Sequence, residues 1–260
     1  MQWFDAGVNL MDPRFNQAQV LRDCASANII GLCIIASNVD ESLRAQQFIK
    51  AAKHPIQLYT TAGVHPHNAD QVNESDWQKI ALLLEDDTCI AVGECGLDFN
   101  RNYSAPTAQL QVFERQLEIA SQLTKPLYLH QRDAFSEQHA LLKRYLRADM
   151  NALAHCFTGD QHELNAYLEL GCYIGITGWL CDAKRGESLR KAVQDLPLNR
   201  LILETDAPYL FPKTVKPRAS QNAPKYISHI AQTLAELMQL PVATIAAASL
   251  SNAQQLFKLN

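Results

Sequence analysis

A chain of 260 residues with 47% hydrophobic content, 19% charged residues and a formal net charge of −4 is not an intrinsically disordered segment. The acidic balance also argues against a protein that coats nucleic acid by global electrostatics, because such binding draws most of its affinity from Lys and Arg neutralising phosphates. Seven scattered cysteines form no Cys-x-x-Cys pair, no basic and apolar leader opens the chain, and no apolar run reaches the ~18 residues of a membrane span; a reduced, cytoplasmic protein with no membrane contact is expected.

Eight short apolar runs rich in Val, Ile, Leu and Tyr follow in chain order: WFDAGVNL (3–10), IIGLCIIAS (29–37), IQLYTTAGVHP (56–66), CIAVGECGLDF (89–99), PLYLHQR (126–132), NALAHCF (151–157), CYIGIT (172–177) and LILETDAPYL (201–210). Between them lie segments of helical period. In SDWQKIALLLE, Trp77, Ile80, Ala81 and Leu84 share a stripe and Ser75 is the expected cap. In the run 107–124, Leu110, Phe113, Leu117 and Ala120 do the same, behind Ser104, Pro106 and Thr107. Two further helices, from Pro224 to about Leu240 and from Pro241 to about Lys258, complete the chain. Strands alternating with helices predict parallel βα units, and eight is a barrel number: an α/β fold, a TIM-like (β/α)8 barrel in one domain over 1–260, is expected.

In such a barrel the strands' C-terminal ends converge on one open face. The polar residues that end the runs are Asp5 and Asn9, His65 and His67, Glu94, His130, His155, and Asp206. One histidine after an apolar run is ordinary, but ionisable groups at five strand ends are costly to bury unless paired or bound to a cation. His, Glu and Asp without thiolate point to a hydrolytic divalent site, carboxylates suiting Mg²⁺ or Mn²⁺ and imidazoles Zn²⁺; phosphoester or amide hydrolysis follows.

Glu204 lies two residues before Asp206, so it either orients water beside the metal or sits deeper and pairs with an imidazolium. Arg101 and Arg132 are placed at the mouth, to fork a phosphate or to make loop ion pairs such as Arg132 with Asp133 or Asp98. FTGD after His155 holds a turn or offers N–H groups to an anion, and Trp179 and Tyr209 stack on bases or pack. Lys213, Lys216, Arg218 and Lys225 make a local basic patch or a solvated loop.

The segments GVHPH, GECGLDF, LHQRD, HCFTG, GITGW and ETDAPYL resemble, in order, spacing and type, the signature segments of TatD-type metal-dependent deoxyribonucleases of the amidohydrolase superfamily, from Asp5 to the final helix. The resemblance implies a TIM-like barrel whose divalent ions are held by Glu94, His130, His155 and Asp206. Glu94 would bridge two ions, Asp206 would contact metal and the attacking water, and His65 would lie near the scissile phosphate. It also implies Mg²⁺-dependent 3′-to-5′ exonuclease action on single-stranded DNA or RNA, in DNA repair or nucleic-acid turnover, by a monomer; Mn²⁺ and Zn²⁺ are alternative ions.

Many relatives carry His-x-His on strand one where this chain has Gly7-Val8-Asn9, a form similar to the branch that gives the family its name. Two imidazole ligands are therefore missing, and Asp5 or Asn9 would replace them only weakly. One tightly bound ion, or a second arriving with the substrate phosphate, is expected. The rival readings are a hydrolase of a small amide or ester and a non-catalytic barrel that binds nucleic acid.

Overall fold

The computed structural model describes residues 1–123 and 125–259. Among them, eight parallel strands lie in sequence order: β1 (Trp3–Val8), β2 (Ile29–Ile34), β3 (Gln57–Ala62), β4 (Cys89–Asp98), β5 (Leu127–Arg132), β6 (Ala152–Ala154), β7 (Tyr173–Ile176) and β8 (Leu201–Leu203). The helices are α1 (Gln17–Ser26), α2 (Val39–Ala51), α3 (Glu74–Leu84), α4 (Pro106–Leu123), α5 (Phe135–Tyr145), α6 (Gln161–Glu169), α7 (Glu187–Ala192), α8 (Ile227–Met238) and α9 (Val242–Phe257). This is the (β/α)8 barrel the strand count predicts.

Strand alternation divides the apolar residues into two layers. Phe4, Ala6, Cys33, Ile35, Ile90, Tyr128, Leu153, Tyr173 and Ile202 fill the barrel interior, and Leu256 and Phe257 of α9 pack against its Phe4 end. Trp3, Leu32, Ile34, Val92, Leu127, Leu129, Ile174 and Leu203 face outward against the helices. Burying each large aliphatic chain contributes about 1.5–3 kcal/mol, which is why a strand buried on both faces needs almost no polar residue until its end.

The first and last strands meet through a short seam. Val8 bridges Ala207, Asn9 N–H donates to the Ala207 carbonyl at 2.8 Å, and Asp206 N–H donates to the Gly7 carbonyl at 2.8 Å. Below this, the buried Asp5 carboxylate accepts from Thr205 N–H at 2.8 Å, from the Thr205 hydroxyl, and from Gly7 N–H at 3.2 Å. A side chain thus replaces ladder bonds at the closure. Asp5 is part of the seam and not of the mouth, so it does not stand in for a missing strand-one ligand.

Local details differ from the sequence reading. Helix α3 is capped by Asn73, which accepts from Ser75 N–H at 3.0 Å while Asp76 accepts from Asn73 N–H at 3.1 Å; Ser75 lies inside the first turn. Ala81 is exposed and Leu83 is buried in its place. Ser104 does not cap α4: its hydroxyl donates to the His67 carbonyl at 3.0 Å and accepts from Asp70 N–H at 3.1 Å. The expected end of that helix, Thr124, lies outside the described residues. The segment from Pro224 opens as a 3-10 turn (Pro224–Tyr226) before α8, whose end is closed by Gln239 at φ 55°.

Candidate metal centre

Five strand ends deliver side chains to one cavity of about 510 Å³ on the C-terminal face: His65 after β3, Glu94 within β4, His130 within β5, His155 after β6 and Asp206 after β8. Glu94 is the hub. Its Oε1 lies 2.8 Å from His130 Nδ1, 3.6 Å from His65 Nε2 and 3.8 Å from His155 Nε2, and His155 Nε2 is 4.0 Å from Asp206 Oδ1. Two groups offer ligand atoms within 4.8 Å of one another, His65 with Glu94 and His130, and His155 with Cys156 and Asp206. Cys156 was not expected at the site.

The His155 ring is fixed from beneath. Its Nδ1 is 2.7 Å from Glu204 Oε2 and 2.8 Å from the Tyr128 hydroxyl, which itself donates to Glu204 at 2.7 Å; the other Glu204 oxygen accepts from Cys156 N–H. Glu204 therefore sits deeper and pairs with His155, the second of its two readings. Nδ1 is thereby held toward Glu204, and Nε2 is the nitrogen turned to the cavity, where a bound cation would take the place of its proton.

This network leaves no room for a side chain at position 7 of strand one. A Cβ at Gly7 would meet the Tyr128 hydroxyl and a Glu204 oxygen, and a Cβ at Gly175 would meet the other Glu204 oxygen. The register shift between Asp5 and Val8 turns Gly7 toward this slot, and Asn9 reaches the mouth, where its amide donates to Asp206 Oδ1 at 2.9 Å. Asp206 has a left-handed backbone, φ 52°, a conformation uncommon for a residue with a side chain and here held by the seam.

Helix glutamines fix the other walls. Gln116 exchanges hydrogen bonds with both backbone groups of Val64 (2.7 and 3.0 Å), Gln109 does so with Asp98 (2.8 and 3.0 Å), and Gln138 accepts from Leu97 N–H at 3.0 Å. Asp98 Oδ2 lies 2.7 Å from His67 Nε2 and 3.4 Å from His130 Nε2. His65 Nδ1 accepts from His67 N–H at 3.0 Å, so its cavity-facing Nε2 is an N–H donor.

The electrostatics follow from burial and pairing. Burial alone would lower the two ring histidines, but Asp98 and Glu94 raise His130 to about 9, and Glu204 raises His155 to about 10. Burial lowers His65 to about 3, with His130 adding to the effect. Burial would raise Glu94, yet the imidazoles of His65 and His130 hold it well below the usual carboxylate range. Asp206 is pushed by burial up to about 7, against the opposing pull of His155.

At the rim, Arg101 is exposed and donates to the Tyr103 hydroxyl at 3.2 Å. Arg132 borders a neighbouring cavity of about 380 Å³ that meets the first at Cys156 and Asp206 and is also lined by Trp179. Among the described residues Arg132 makes no ion pair with Asp133 or Asp98; Asp133 instead accepts from Asn100 at 2.6 Å. Asp160 of FTGD caps α6 through His162 N–H and Glu163 N–H. Lys213 pairs with Asp182 and Lys225 with Asp23, so half of the basic run is neutralised.

Comparison with known proteins agrees with this architecture. The family model described as TatD related DNase matches residues 4–258. A protein of Edwardsiella piscicida, named 3′-5′ ssDNA/RNA exonuclease TatD, is 43% identical over 98% of this chain and 99% of its own length. The structure of YJJV, a TatD homologue from Escherichia coli k12, superimposes with a TM-score of 0.90 at 25% identity, covering 99% of this chain and 98% of that one. A hydrolase TatD family protein from Entamoeba histolytica has the same fold, with a TM-score of 0.91 at 24% identity over 100% of this chain and 99% of its own. A match that runs from the second residue of β1 to the close of α9 leaves one assignment: the chain belongs to the TatD-related DNase family.

Proposed function

We propose that the protein is a metal-dependent 3′-5′ exonuclease of single-stranded DNA and RNA, a single-domain monomer acting in nucleic-acid turnover or DNA repair. The observation that carries this reading is the convergence of Glu94, His130, His155 and Asp206 on one cavity floor, supported by the exonuclease name of the relative that is 43% identical over nearly its whole length.

The donor set fits a divalent cation. His155 turns Nε2 to the cavity 3.8 Å from Glu94, and His130 Nε2 is buried with only the Asp98 carboxylate beside it at 3.4 Å, so a cation would take the place of the protons these carboxylates now hold on the rings. Glu94, His130, His155 and Asp206 would hold the ion, with magnesium favoured by the carboxylates. His65 is better placed as a donor, because its accessible nitrogen bears hydrogen. Bound there, such an ion would offset charge on a phosphoryl oxygen and make a water more acidic.

The chain's own groups supply the rest. Asp206, turned by Asn9 and raised in pKa by burial, accepts the proton of the attacking water. His65, neutral at physiological pH, donates its Nε2–H to a phosphate oxygen. Arg101 and Arg132 hold the flanking phosphates.

The decisive experiment is digestion of end-labelled single-stranded oligonucleotides with Mg²⁺, Mn²⁺, Zn²⁺ or chelator. Stepwise loss of nucleotides from the 3′ end that chelator abolishes is the expected result. Hydrolysis of an ester or amide panel without attack on DNA or RNA would overturn the reading.

A further inference from the structure

We propose that Tyr103 and Tyr209 are stacking platforms for two nucleobases of the bound strand, one on each side of the linkage to be cut; the assignment rests on the nuclease reading above. The chain has three Trp, eight Tyr and nine Phe, and among the described residues the two most exposed of these are Tyr103, at 65%, and Tyr209, at 49%. Both line the cavity that holds Glu94 and Asp206. A single exposed ring is ordinary on a protein surface, but the shared placement of these two in the cavity of the ligand cluster points to an occupant with flat apolar faces.

Their placement matches a strand laid across the mouth. Tyr103 follows β4 and Tyr209 follows β8, and strands four and eight of an eight-strand ring stand on opposite sides of its axis. The metal-ligand cluster lies between them. Each ring is also braced by its neighbours. Arg14 sits 4.6 Å over the Tyr209 ring and is itself clamped by Asp12 at 2.8 and 2.7 Å. The His67 ring meets Tyr103 edge-on at 4.7 Å, and Arg101 holds its hydroxyl. A braced ring loses little freedom when a base stacks on it.

Stacking accepts any base, since every base has a π face, and it requires bases free of a duplex partner. The two tyrosines would therefore favour single strands while leaving sequence unread.

The test uses a phosphorothioate-protected oligonucleotide bearing 2-aminopurine at the terminal or the penultimate base, with the divalent ion present. Stacking quenches the probe in the wild-type chain. Tyr103→Ala should relieve quenching at one position and Tyr209→Ala at the other, while the Phe variants retain it. Each Ala variant should lower kcat/KM on oligonucleotide roughly tenfold. The slope of log affinity against log salt should not change, because no phosphate contact is lost.

Quenching retained at both positions in either Ala variant overturns the proposal, as does loss that Phe fails to rescue. A wild-type chain that digests the strand but quenches neither base removes the platforms and leaves the nuclease reading intact. One that neither binds nor digests removes both.

Discussion

Asn9 donates a 2.9 Å hydrogen bond to Asp206 across the seam where the first and last strands meet. Strand one thus contributes an amide to the site, not an imidazole. Replacing Asn9 by Ala should leave the fold and metal affinity in place and lower kcat about tenfold, since a hydrogen bond to a charged group is worth about 1.5–3 kcal/mol. Steady-state kinetics beside metal titration separates the two effects; complete loss of metal binding would contradict the positioning role.

Asp206→Asn preserves shape and the bond to Asn9 but removes the basic oxygen. Activity should fall about 10²–10⁴-fold with an unchanged circular dichroism spectrum. Full activity in this variant would rule out Asp206 as the proton acceptor.

The Glu204 carboxylate accepts from three donors, His155, Tyr128 and Cys156 N–H. Glu204→Gln offers one acceptor where two were needed and sets an amide N–H against a donor. Calorimetric metal affinity should fall about 10–100-fold, the usual effect of losing the partner that orients a histidine ligand.

Introducing histidine at position 7 should not add a ligand. The Cβ already meets Tyr128 and Glu204, so Gly7→His should destabilise the protein by several kcal/mol, and Gly7→Ala by about 1–3 kcal/mol. Denaturant unfolding measures both; a stable Gly7→His variant that binds an additional ion would show that the slot can open.

Asp5 is pushed up to about 7 chiefly by burial, opposed by its bonds to Thr205. Between pH 4 and 7 the unfolded chain has released this proton and the folded chain retains it, so stability falls as pH rises through that window and levels off above it. Asp5→Asn removes this titration, so its melting temperature relative to the wild type should rise from pH 4 to 7. A difference independent of pH would show that Asp5 is already ionised in the fold.

Much of this was readable in the residues. Strand ends are marked by a polar residue closing an apolar run, which is how His65, Glu94, His130, His155 and Asp206 stand out. Tyr128 was not legible, because a tyrosine inside PLYLHQR reads as packing until the glycine slot beneath it is seen. Gln109 and Gln116 left a usable signal: they fall seven apart on the buried stripe of α4, where a polar residue needs a partner. Caps misled because Asn73 and Ser75 are both good cap residues, and only backbone geometry decides between them. The roles of Arg101 and Arg132 depend on loop conformation, which no periodicity encodes.

The seam has one more consequence. Asp206 reaches the mouth only when the chain's last strand docks on its first, some two hundred residues away. A nascent or truncated chain ending before β8 carries Glu94, His130 and His155 but neither the acceptor for the water's proton nor the carboxylate that fixes His155. On the proposed mechanism, such a chain would lack the means to cut nucleic acid until the ring closes.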